Sequence, residues 1–476
     1  MITTDIAVIG AGSAGLSVAA GAAQLGVPTV LVEPGRMGGD CLNTGCVPSK
    51  ALLAAAQAAH AVRTAHRFGV RTGPPEIDFD AVRAHVRHAI AEIAPNDSEE
   101  RFTGLGATVL RTAARFLDAR TLETEAGERI AARRIVVAAG ARPALPPIPG
   151  IASVAHLTSE TLWDNPTLPP HLLVLGGGAI GVEMAFAHAR LGSQVTLVEA
   201  ACLLPRDDPE LVEGLRPVLA EAGIAVRERC RVVRVEPGPV LVVAEPDGGE
   251  RHLAGSHLLV ATGRTPNTEA LALERGGVAF GKAGIAVDRG LCSVSNRKVF
   301  AAGDIADVAG IGPRQFTHVA GYHAGIILRR ALFRLPAKLD YSALPRVTFT
   351  DPELAQVGMT EAEACAAGHL PRIARWPLAE NDRAVAEGAT RGLVKLVADR
   401  RGRLLGAGIL APHAGEMIAQ LGTAMRAGVT LSGLAQQIIA YPTRAEAAKR
   451  AAGSLLATRL FAPRTKRLVA FLRRFG

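Results

Sequence analysis

At 476 residues the chain is long for one domain, so we expect two to four domains. Hydrophobic residues make up 49% of it, which suffices for large cores, and six cysteines are too few for a secreted disulfide scaffold. The net charge of +9 favours anionic ligands, but no basic patch with interleaved aromatic residues indicates nucleic-acid binding. No apolar run reaches transmembrane length and no signal peptide precedes the first strand, so we predict a cytoplasmic protein.

The first motif with chemical meaning is a glycine-rich turn between an apolar strand, predicted over residues 6–9, and a helix over 17–25. A second strand over 28–33 ends at Glu33. The turn reads Gly10-Ala11-Gly12-Ser13-Ala14-Gly15. Such a turn presents a helix N-terminus to a pyrophosphate, and the acid holds a ribose. This arrangement predicts a dinucleotide site.

A cysteine pair follows at once, in Gly38-Gly39-Asp40-Cys41-Leu42-Asn43-Thr44-Gly45-Cys46-Val47-Pro48-Ser49-Lys50. Residues five apart on a regular helix point about 140° apart, so a disulfide between Cys41 and Cys46 needs a distorted helix start. Gly38, Gly39 and Gly45 permit unusual backbone angles there, and Pro48 suits a first helical turn. The dipole of the helix that follows, predicted over 51–66, favours a thiolate at its N-terminus. We interpret the pair as a redox centre rather than two structural cysteines.

The opening pattern recurs in the middle of the chain. A strand over residues 171–175 leads into a second glycine-rich turn and helix, and a strand over 194–199 ends at Glu199. Each acid lies 23 residues after its first glycine (33 − 10 and 199 − 176). The second turn reads Gly176-Gly177-Gly178-Ala179-Ile180-Gly181. A repeat in this register predicts a second dinucleotide site.

The second site is assigned to the nicotinamide because the first leads directly into the cysteines. Glu199 would accept a hydrogen bond from a free ribose 2′-hydroxyl and repel a 2′-phosphate, which favours NADH over NADPH. The nearby Arg206 is the residue that weakens this preference. Three further apolar strands each end at a glycine, and the residues at these ends are candidate cofactor contacts. They are Ala139 and Gly140, Gly263, and Gly303 with the Asp304 that follows it.

Together these stretches resemble the FAD-dependent pyridine nucleotide-disulfide oxidoreductases of the dihydrolipoamide dehydrogenase, glutathione reductase and mercuric reductase type. The resemblance implies an α/β fold with two Rossmann-like dinucleotide-binding domains and a C-terminal α+β dimerisation domain, which makes a homodimer. Residues 1–148 and 267–340 would form the FAD-binding and central part, 149–266 the NAD(P)-binding domain, and 341–476 the dimerisation domain. The dimerisation domain accounts for the strands predicted over 347–349, 393–397 and 404–409. It also accounts for the helices predicted over 415–427, 431–439 and 445–460.

The resemblance also implies roles for individual residues. Cys46 would lie against the flavin as the charge-transfer thiolate, and Cys41, the more exposed thiol, would exchange with substrate. Lys50 would stand near the flavin and pair with Glu183. Asp304 would hold the ribityl chain of FAD. Gly39 and Asp40 would contact the cofactor, and Asp40 stands where relatives commonly have threonine.

One departure bears on the acceptor. Lipoamide and glutathione enzymes carry a catalytic histidine before a proline near the C-terminus, whereas here Tyr441 stands before Pro442 and Glu446 is retained. Tyrosine, with a reference pKa of about 10, is a poor general base near neutral pH. The tyrosine is similar to that of mercuric reductases, although the metal-binding N-terminal CxxC domain and vicinal C-terminal cysteines of those enzymes are missing. His413 is a candidate substitute base, with a structural histidine favoured.

We therefore predict that electrons pass from NAD(P)H through FAD and the Cys41–Cys46 disulfide to a disulfide-like or soft-metal acceptor, which the two thiols could ligate. The alternatives are a dihydrolipoamide dehydrogenase, direct flavin reduction of a quinone or oxygen, and, from another class, a flavin-binding redox sensor or scaffold. The other cysteines are expected to be buried small hydrophobes: Cys202, Cys230, Cys292 and Cys365. Residues 464–476 form a basic amphipathic segment, for which packing on its own dimer is favoured over peripheral membrane contact.

Overall fold

The computed structural model describes residues 1–245 and 248–475, without the side chains of residues 458 and 459. It divides into two compact units. The first unit comprises Met1–Pro169, Arg234–Val240 and His257–Leu339. The second comprises Pro170–Val233, Leu241–Ser256 and Asp340–Gly476. The four domain segments expected from the sequence remain a prediction.

The first unit is built on a seven-stranded sheet. Its spatial order is Ala107–Leu110, Thr29–Val32, Ile2–Ile9, Arg129–Val137, Thr121–Thr124 and Ala114–Phe116, and Val299–Ala301 also pairs with Arg129–Val137. The first four strands and Val299–Ala301 pair in parallel, and the other two are antiparallel. Residues 6–9 of the first strand and all of Thr29–Val32 are buried, as a parallel sheet covered on both faces requires.

The helices of this unit are Ser13–Gln24, Gly39–Asn43, Cys46–Thr64, Phe79–Ile93, Glu99–Gly104 and Thr317–Ala331. Its other strands are Ala141–Pro143, His257–Val260, Arg264–Pro266, Phe280–Gly281, Gly284–Val287 and Ala306–Val308. Two more strands, Val232–Glu236 and Val240–Ala244, each include residues assigned to both units.

The second unit contains a parallel sheet in the order Ile224–Arg227, Gln194–Val198 and His171–Leu175. Its helices before residue 340 are Ala179–Leu191 and Pro209–Glu221, and a strand covers Glu250–Ala254. The crossover through a helix between parallel strands repeats the beginning of the chain, as the internal repeat predicts.

An antiparallel sheet of five strands forms the rest of the second unit. Its order is Pro345–Thr348, Glu353–Gly358, Leu404–Ala411, Leu393–Ala398 and Arg372–Pro377. The helices are Glu361–Ala366, Asp382–Ala386, Ala414–Arg426, Leu431–Ala435, Glu446–Leu460 and Pro463–Leu472. The buried core of this part includes Leu396, Ile409 and Leu421, which confirms the predicted α+β texture.

The predicted elements lie close to the observed ones but differ at their ends. The strand over 171–175 is confirmed at both ends. The helix predicted over 51–66 begins five residues earlier, at Cys46, because Pro48 and the preceding thiol are accommodated in its first turn. The helix predicted over 431–439 ends at Ala435. Among the described residues, no helix is long and apolar enough to span a membrane.

Candidate active site

The two cysteines flank a break between two helices. Cys41 lies in the short helix Gly39–Asn43, and Cys46 is the first residue of Cys46–Thr64. Gly38 and Gly39 have positive φ angles of 89° and 60°, and Gly45 has φ −117° and ψ −109°, outside the helical and extended regions. The distorted helix start predicted for this stretch is therefore confirmed. The dipole of the long helix favours negative charge at Cys46.

The two thiols are not joined by a disulfide, and they interact electrostatically. A hydrogen bond to Cys46, burial and the nearby charge of Cys46 together hold the pKa of Cys41 far above its ordinary value. Cys41 therefore keeps its proton near neutral pH. The expected order of exposure is wrong for the polypeptide itself, because Cys46 is exposed and Cys41 is half-buried. Cys46 is the first residue of the long helix, whereas Cys41 lies within the short helix Gly39–Asn43.

A residue far away in the sequence completes the surroundings of the thiols. The hydroxyl of Thr317, at the start of helix Thr317–Ala331, lies 3.4 Å from the sulfur of Cys46. Hydrogen bonds from Thr317 and Ser13 lower the pKa of Cys41, against the larger effects that raise it. The indole N–H of Trp163 donates to the carbonyl of Thr44 at 2.8 Å, which holds the break between the two helices.

The first glycine-rich turn touches the cysteine loop directly. The N–H of Gly38 donates to the carbonyl of Ala11 at 2.9 Å. A Cβ atom on Gly39 would lie 2.6 Å from the Cα of Gly12, so the close approach of the two segments requires glycine at position 39. The dinucleotide turn and the redox motif are thus one local structure.

Helix Ser13–Gln24 begins as a pyrophosphate site requires. Its N-cap residue, Gly12, provides no side-chain acceptor, so the first backbone N–H groups of the helix are not capped by its own side chain. A Cβ atom on Gly15 would lie 1.8 Å from the carbonyl oxygen of Gly10, which explains glycine at the end of the motif. Glu33 accepts from the N–H groups of Ala11 and Gly35, both at 2.7 Å. The carboxylate is therefore held at the turn.

The buried guanidinium of Arg264 lies between the cysteine loop and Asp304, the acid that follows Gly303. Nη2 of Arg264 lies 2.5 Å from Asp40, and Nε lies 3.3 Å from Asp304 without hydrogen-bond geometry. Burial raises the pKa of Asp304, with Arg264 opposing and Asp40 adding to the rise. Asp40 also accepts a hydrogen bond of 2.5 Å from the hydroxyl of Thr44. Two carboxylates therefore share one cation.

The turn before Asp304 is supported by a histidine from the neighbouring helix. Nδ1 of His323 accepts a hydrogen bond from the N–H of Gly303 at 3.1 Å. Burial lowers the pKa of His323 to about 4, so the ring is neutral near neutral pH and Nδ1 is free to accept. Gly303 itself has a φ of +72°, which favours glycine.

The other two glycine-ended strands lie together in the first unit. The backbone N–H of Asn267 donates to the carbonyl of Gly140 at 3.0 Å, and its side-chain amide donates to that of Ala139 at 2.9 Å. The φ angles of Gly140 and Gly263 are +67° and +144°, and a Cβ atom on either would meet nothing within 4 Å. The space beside the Cα atoms of these two glycines is open, which is compatible with a bound cofactor there.

The second glycine-rich turn repeats the first in detail. Glu199 accepts from the N–H groups of Gly177 and Ala201, both at 2.7 Å, as Glu33 does in the first turn. A Cβ atom on Gly181 would lie 1.9 Å from the carbonyl oxygen of Gly176. The N-cap of helix Ala179–Leu191 is Gly178, again without a side-chain cap, and Ile180 is exposed in its first turn. The geometry fits a second dinucleotide.

Glu183 is buried in that helix and accepts from the backbone N–H of Phe349 at 3.0 Å. Lys50 lies in helix Cys46–Thr64 of the first unit. The expected Lys50–Glu183 pair joins residues of different units and stays a prediction.

Tyr441 is two-thirds exposed, and its hydroxyl donates to Asp382 at 2.9 Å. This hydrogen bond raises the pKa of Tyr441, so the phenol holds its proton near neutral pH. Glu446 begins helix Glu446–Leu460, five residues after Tyr441. His413 has left-handed backbone angles at the N-cap of helix Ala414–Arg426, which suits a structural turn. The position that carries a base in lipoamide enzymes therefore offers a proton donor here.

Burial of the remaining cysteines is confirmed only for Cys292, which is 2% exposed. Cys230 is half-buried, and the expectation is wrong for Cys202 and Cys365, which are exposed. Cys202 lies in a loop after a strand, and Cys365 lies near the end of the short helix Glu361–Ala366, so neither packs into a core. The described residues contain no group of three or more His, Cys, Asp or Glu side chains that could hold a metal ion.

Three residues of the first site were not selected from the sequence: Arg264, Thr317 and His323. Arg264 follows Gly263 at the end of an apolar strand, which is a position that could have identified it. Thr317 and His323 have no comparable signal, because their role depends on helix Thr317–Ala331 packing near the redox loop and the Gly303 turn.

Comparisons with known proteins agree with this geometry. Residues 4–324 match the family described as pyridine nucleotide-disulphide oxidoreductase, and residues 344–452 match the dimerisation domain of that family.

Two relatives illustrate the range of the similarity. The chain is 38% identical over 456 residues to a mercuric reductase of Streptomyces lividans, covering 94% of this chain and 95% of that protein. It is 34% identical to a dihydrolipoyl dehydrogenase of Thermus scotoductus, covering 96% of this chain and 98% of that protein. A solved structure of the HOCl-induced flavoprotein disulfide reductase RclA from Escherichia coli, a Cu(II) complex, superposes with a TM-score of 0.83 at 29% identity, covering 94% of this chain and 99% of RclA.

Proposed function

Because the chain belongs to the pyridine nucleotide-disulphide oxidoreductase family, we propose that it uses NADH to reduce a soft metal ion, with Hg(II) as the model acceptor, through Cys41 and Cys46. The enzyme class and the need for FAD and a nicotinamide follow from the family. FAD supplies two-electron, hydride-accepting chemistry when bound. The dimerisation domain over residues 344–452 supports a homodimer. A cytoplasmic location stays a prediction.

The residues present fit this cofactor pair. Two glycine-rich turns each present an N-cap glycine without a side-chain cap, and each has an acid held at the turn by two backbone N–H groups. FAD would be held by the first turn and its acid and by three residues near the cysteine loop: Gly10, Gly12, Gly15 and Glu33, with Gly39, Gly303 and Asp304. Gly176, Gly178 and Gly181 with Glu199 would hold the nicotinamide dinucleotide. The carboxylate of Glu199 supports the preference for NADH.

The step assigned to the thiols balances in electrons. Reduction of a Cys41–Cys46 disulfide by two electrons and two protons yields two thiols. Their sulfurs are soft ligands for a soft ion, and the thiols lose their two protons when they ligate it. Transfer of two electrons from the two sulfurs to Hg(II) then gives the neutral metal and restores the disulfide.

The observation that carries the choice of acceptor is the proton on Tyr441. Exchange between a dithiol and an organic disulfide requires a base to take and return a proton near the thiols. Tyr441 donates a hydrogen bond to Asp382 instead, and this hydrogen bond raises the pKa of Tyr441, which keeps its proton. A metal ion that is ligated by thiolates has no leaving thiol to protonate, so the same arrangement suffices for it.

The test is anaerobic NADH oxidation by the FAD-loaded protein with Hg(II), Cu(II), oxidised lipoamide or a quinone as acceptor. We expect turnover with a soft metal ion, loss of that turnover by at least about a hundredfold in Cys41→Ser and Cys46→Ser, and no loss in Cys365→Ser. Cys365 is the matched control because it is an exposed cysteine outside the motif.

The competing functions give different outcomes in the same experiment. Fast lipoamide turnover would identify a dihydrolipoamide dehydrogenase that works despite Tyr441. Quinone or oxygen reduction that survives both serine substitutions would show that the flavin reacts directly. Negligible turnover with every acceptor would favour a redox sensor. Tyr441→His should raise lipoamide turnover if the missing base is what limits it.

A further inference from the structure

The last described helix, Pro463–Leu472, has an apolar side and a basic side. With 100° between successive residues, the apolar side chains fall within about half of the circumference. They are Leu468, Val469, Phe471, Leu472 and Phe475, and each is at least half exposed. The rings of Phe471 and Phe475 meet edge to face at 5.1 Å, which extends this side one turn beyond the helix. We call residues 460–475 the basic helix segment.

Four cations occupy the other half of the circumference. They are Lys466, Arg467, Arg473 and Arg474, and all four are exposed. A fifth exposed cation, Arg464, lies on the apolar side, one turn before Leu468. None of them forms an ion pair with any residue among 1–245 and 248–475. Residues 447–475 contain no acidic side chain at all. The segment therefore presents bulky apolar groups bordered by uncompensated positive charge, the pattern of helices that lie on membrane surfaces.

The match to the family's dimerisation domain ends before this segment, at residue 452. A two-fold dimer contact through the segment would place the same patch of each copy against the other. The cations that border the apolar side would then face one another, which is unfavourable. These observations reverse the order of preference taken from the sequence, in which packing on a second copy was favoured over a membrane.

We propose that the basic helix segment binds an anionic lipid surface, with Leu468, Phe471 and Leu472 inserted at the boundary of headgroups and acyl chains. The arginines and Lys466 then lie level with the lipid phosphates. The helix lies in the interface and does not span the bilayer, since the described helices include none long and apolar enough to cross it. The enzyme would be recruited reversibly to anionic membranes. The interaction is independent of the acceptor proposed above.

The test is co-sedimentation of the full-length, FAD-loaded protein with phosphatidylcholine vesicles, with and without phosphatidylserine. Binding to the anionic vesicles should be at least about tenfold tighter and should weaken as salt is added. The double variant Leu468→Gln, Leu472→Gln, which keeps the charge, should lower binding at least about tenfold. Leu370→Gln is the matched control, since Leu370 is equally exposed elsewhere in the second unit. NADH oxidation should be unchanged in both variants.

Sedimentation velocity of the same variants tests the alternative that the segment packs against a second copy of the chain. If the double variant dissociates a dimer, the segment covers a second copy and the proposal is wrong. Equal binding to neutral and anionic vesicles, or anionic binding that survives the double substitution, would also overturn it. An unchanged oligomeric state together with loss of vesicle binding supports it.

Discussion

The guanidinium of Arg264 lies 2.5 Å from the carboxylate of Asp40, the residue that precedes the first redox cysteine. The same guanidinium lies 3.3 Å from Asp304, so a buried cation stands between the cysteine loop and the acid proposed to hold FAD. Only 11% of the Arg264 side chain is exposed, and a charge so placed needs both partners. This explains how the carboxylate of Asp40 is accommodated beside the redox cysteines.

Removing one carboxylate from this cluster should destabilise the first unit. We expect Asp40→Asn to lower the free energy of unfolding by about 1–2 kcal/mol, because the longer contact to Asp304 is then the one carboxylate contact described for Arg264, beside its hydrogen bond to the carbonyl of Ala141. Urea unfolding provides the measurement. Asp5→Asn is the control, since Asp5 pairs with Arg133, whose side chain is 84% exposed, and the expected loss is below about 0.5 kcal/mol. Equal losses in the two variants would contradict the assigned role.

His323 should make stability depend on pH in mildly acid solution. Its pKa is lowered to about 4 by burial, against an ordinary value of 6.5. Between these values the unfolded chain binds more protons than the folded one, so stability is fully present above 6.5 and declines as the pH falls towards 4.

At about pH 5 the contribution of His323 amounts to a loss of about 2 kcal/mol relative to pH 7. His323→Asn keeps an acceptor for the N–H of Gly303 but does not titrate, so the variant should lose less stability over this interval. The measurement is the urea midpoint of unfolding at pH 5 and at pH 7 for the original protein and for His323→Asn. Parallel pH profiles would show that other groups account for the acid sensitivity.

The proton on Cys41 should stabilise the charge on Cys46. Cys41→Ala removes the hydrogen-bond donor, and we expect the thiolate of Cys46 to appear at a pH about one unit higher. Cys41→Ser keeps a donor, and the expected displacement is smaller. The readout is the long-wavelength absorption of a thiolate beside bound flavin, titrated with pH.

Cys365→Ala is the control for this titration, because it removes an exposed thiol outside the motif. Identical titrations for Cys41→Ala and Cys41→Ser would refute a role for the hydrogen bond.

Glu199 should set the preference between nicotinamide cofactors. Glu199→Gln keeps the size of the side chain but removes the charge that repels a 2′-phosphate, so kcat/KM for NADPH should rise about tenfold relative to NADH. Steady-state kinetics with both cofactors measures the ratio. Glu33→Gln makes the same change at the equivalent place in the first turn, with N–H groups of Ala11 and Gly35 as partners. It should weaken FAD retention and leave the cofactor ratio unchanged.

The residue pattern by itself determined the parts of this protein that depend on neighbours in the chain. A strand, a glycine-rich turn and a helix form one continuous segment, so the turns at Gly10 and Gly176 and the positions of their acids could be predicted. The break between Cys41 and Cys46 was likewise predictable, because a five-residue spacing cannot bring two sulfurs together on a regular helix.

Tertiary structure alone decided which distant side chains complete the site. Thr317 meets Cys46 across 271 residues of sequence, and His323 supports Gly303 from the next helix. Arg264 reaches both Asp40 and Asp304 only after separate strands have packed. The exposure of Cys202 and Cys365 was also missed. Spacing specifies local backbone geometry, whereas burial and contacts between distant segments depend on how the elements pack.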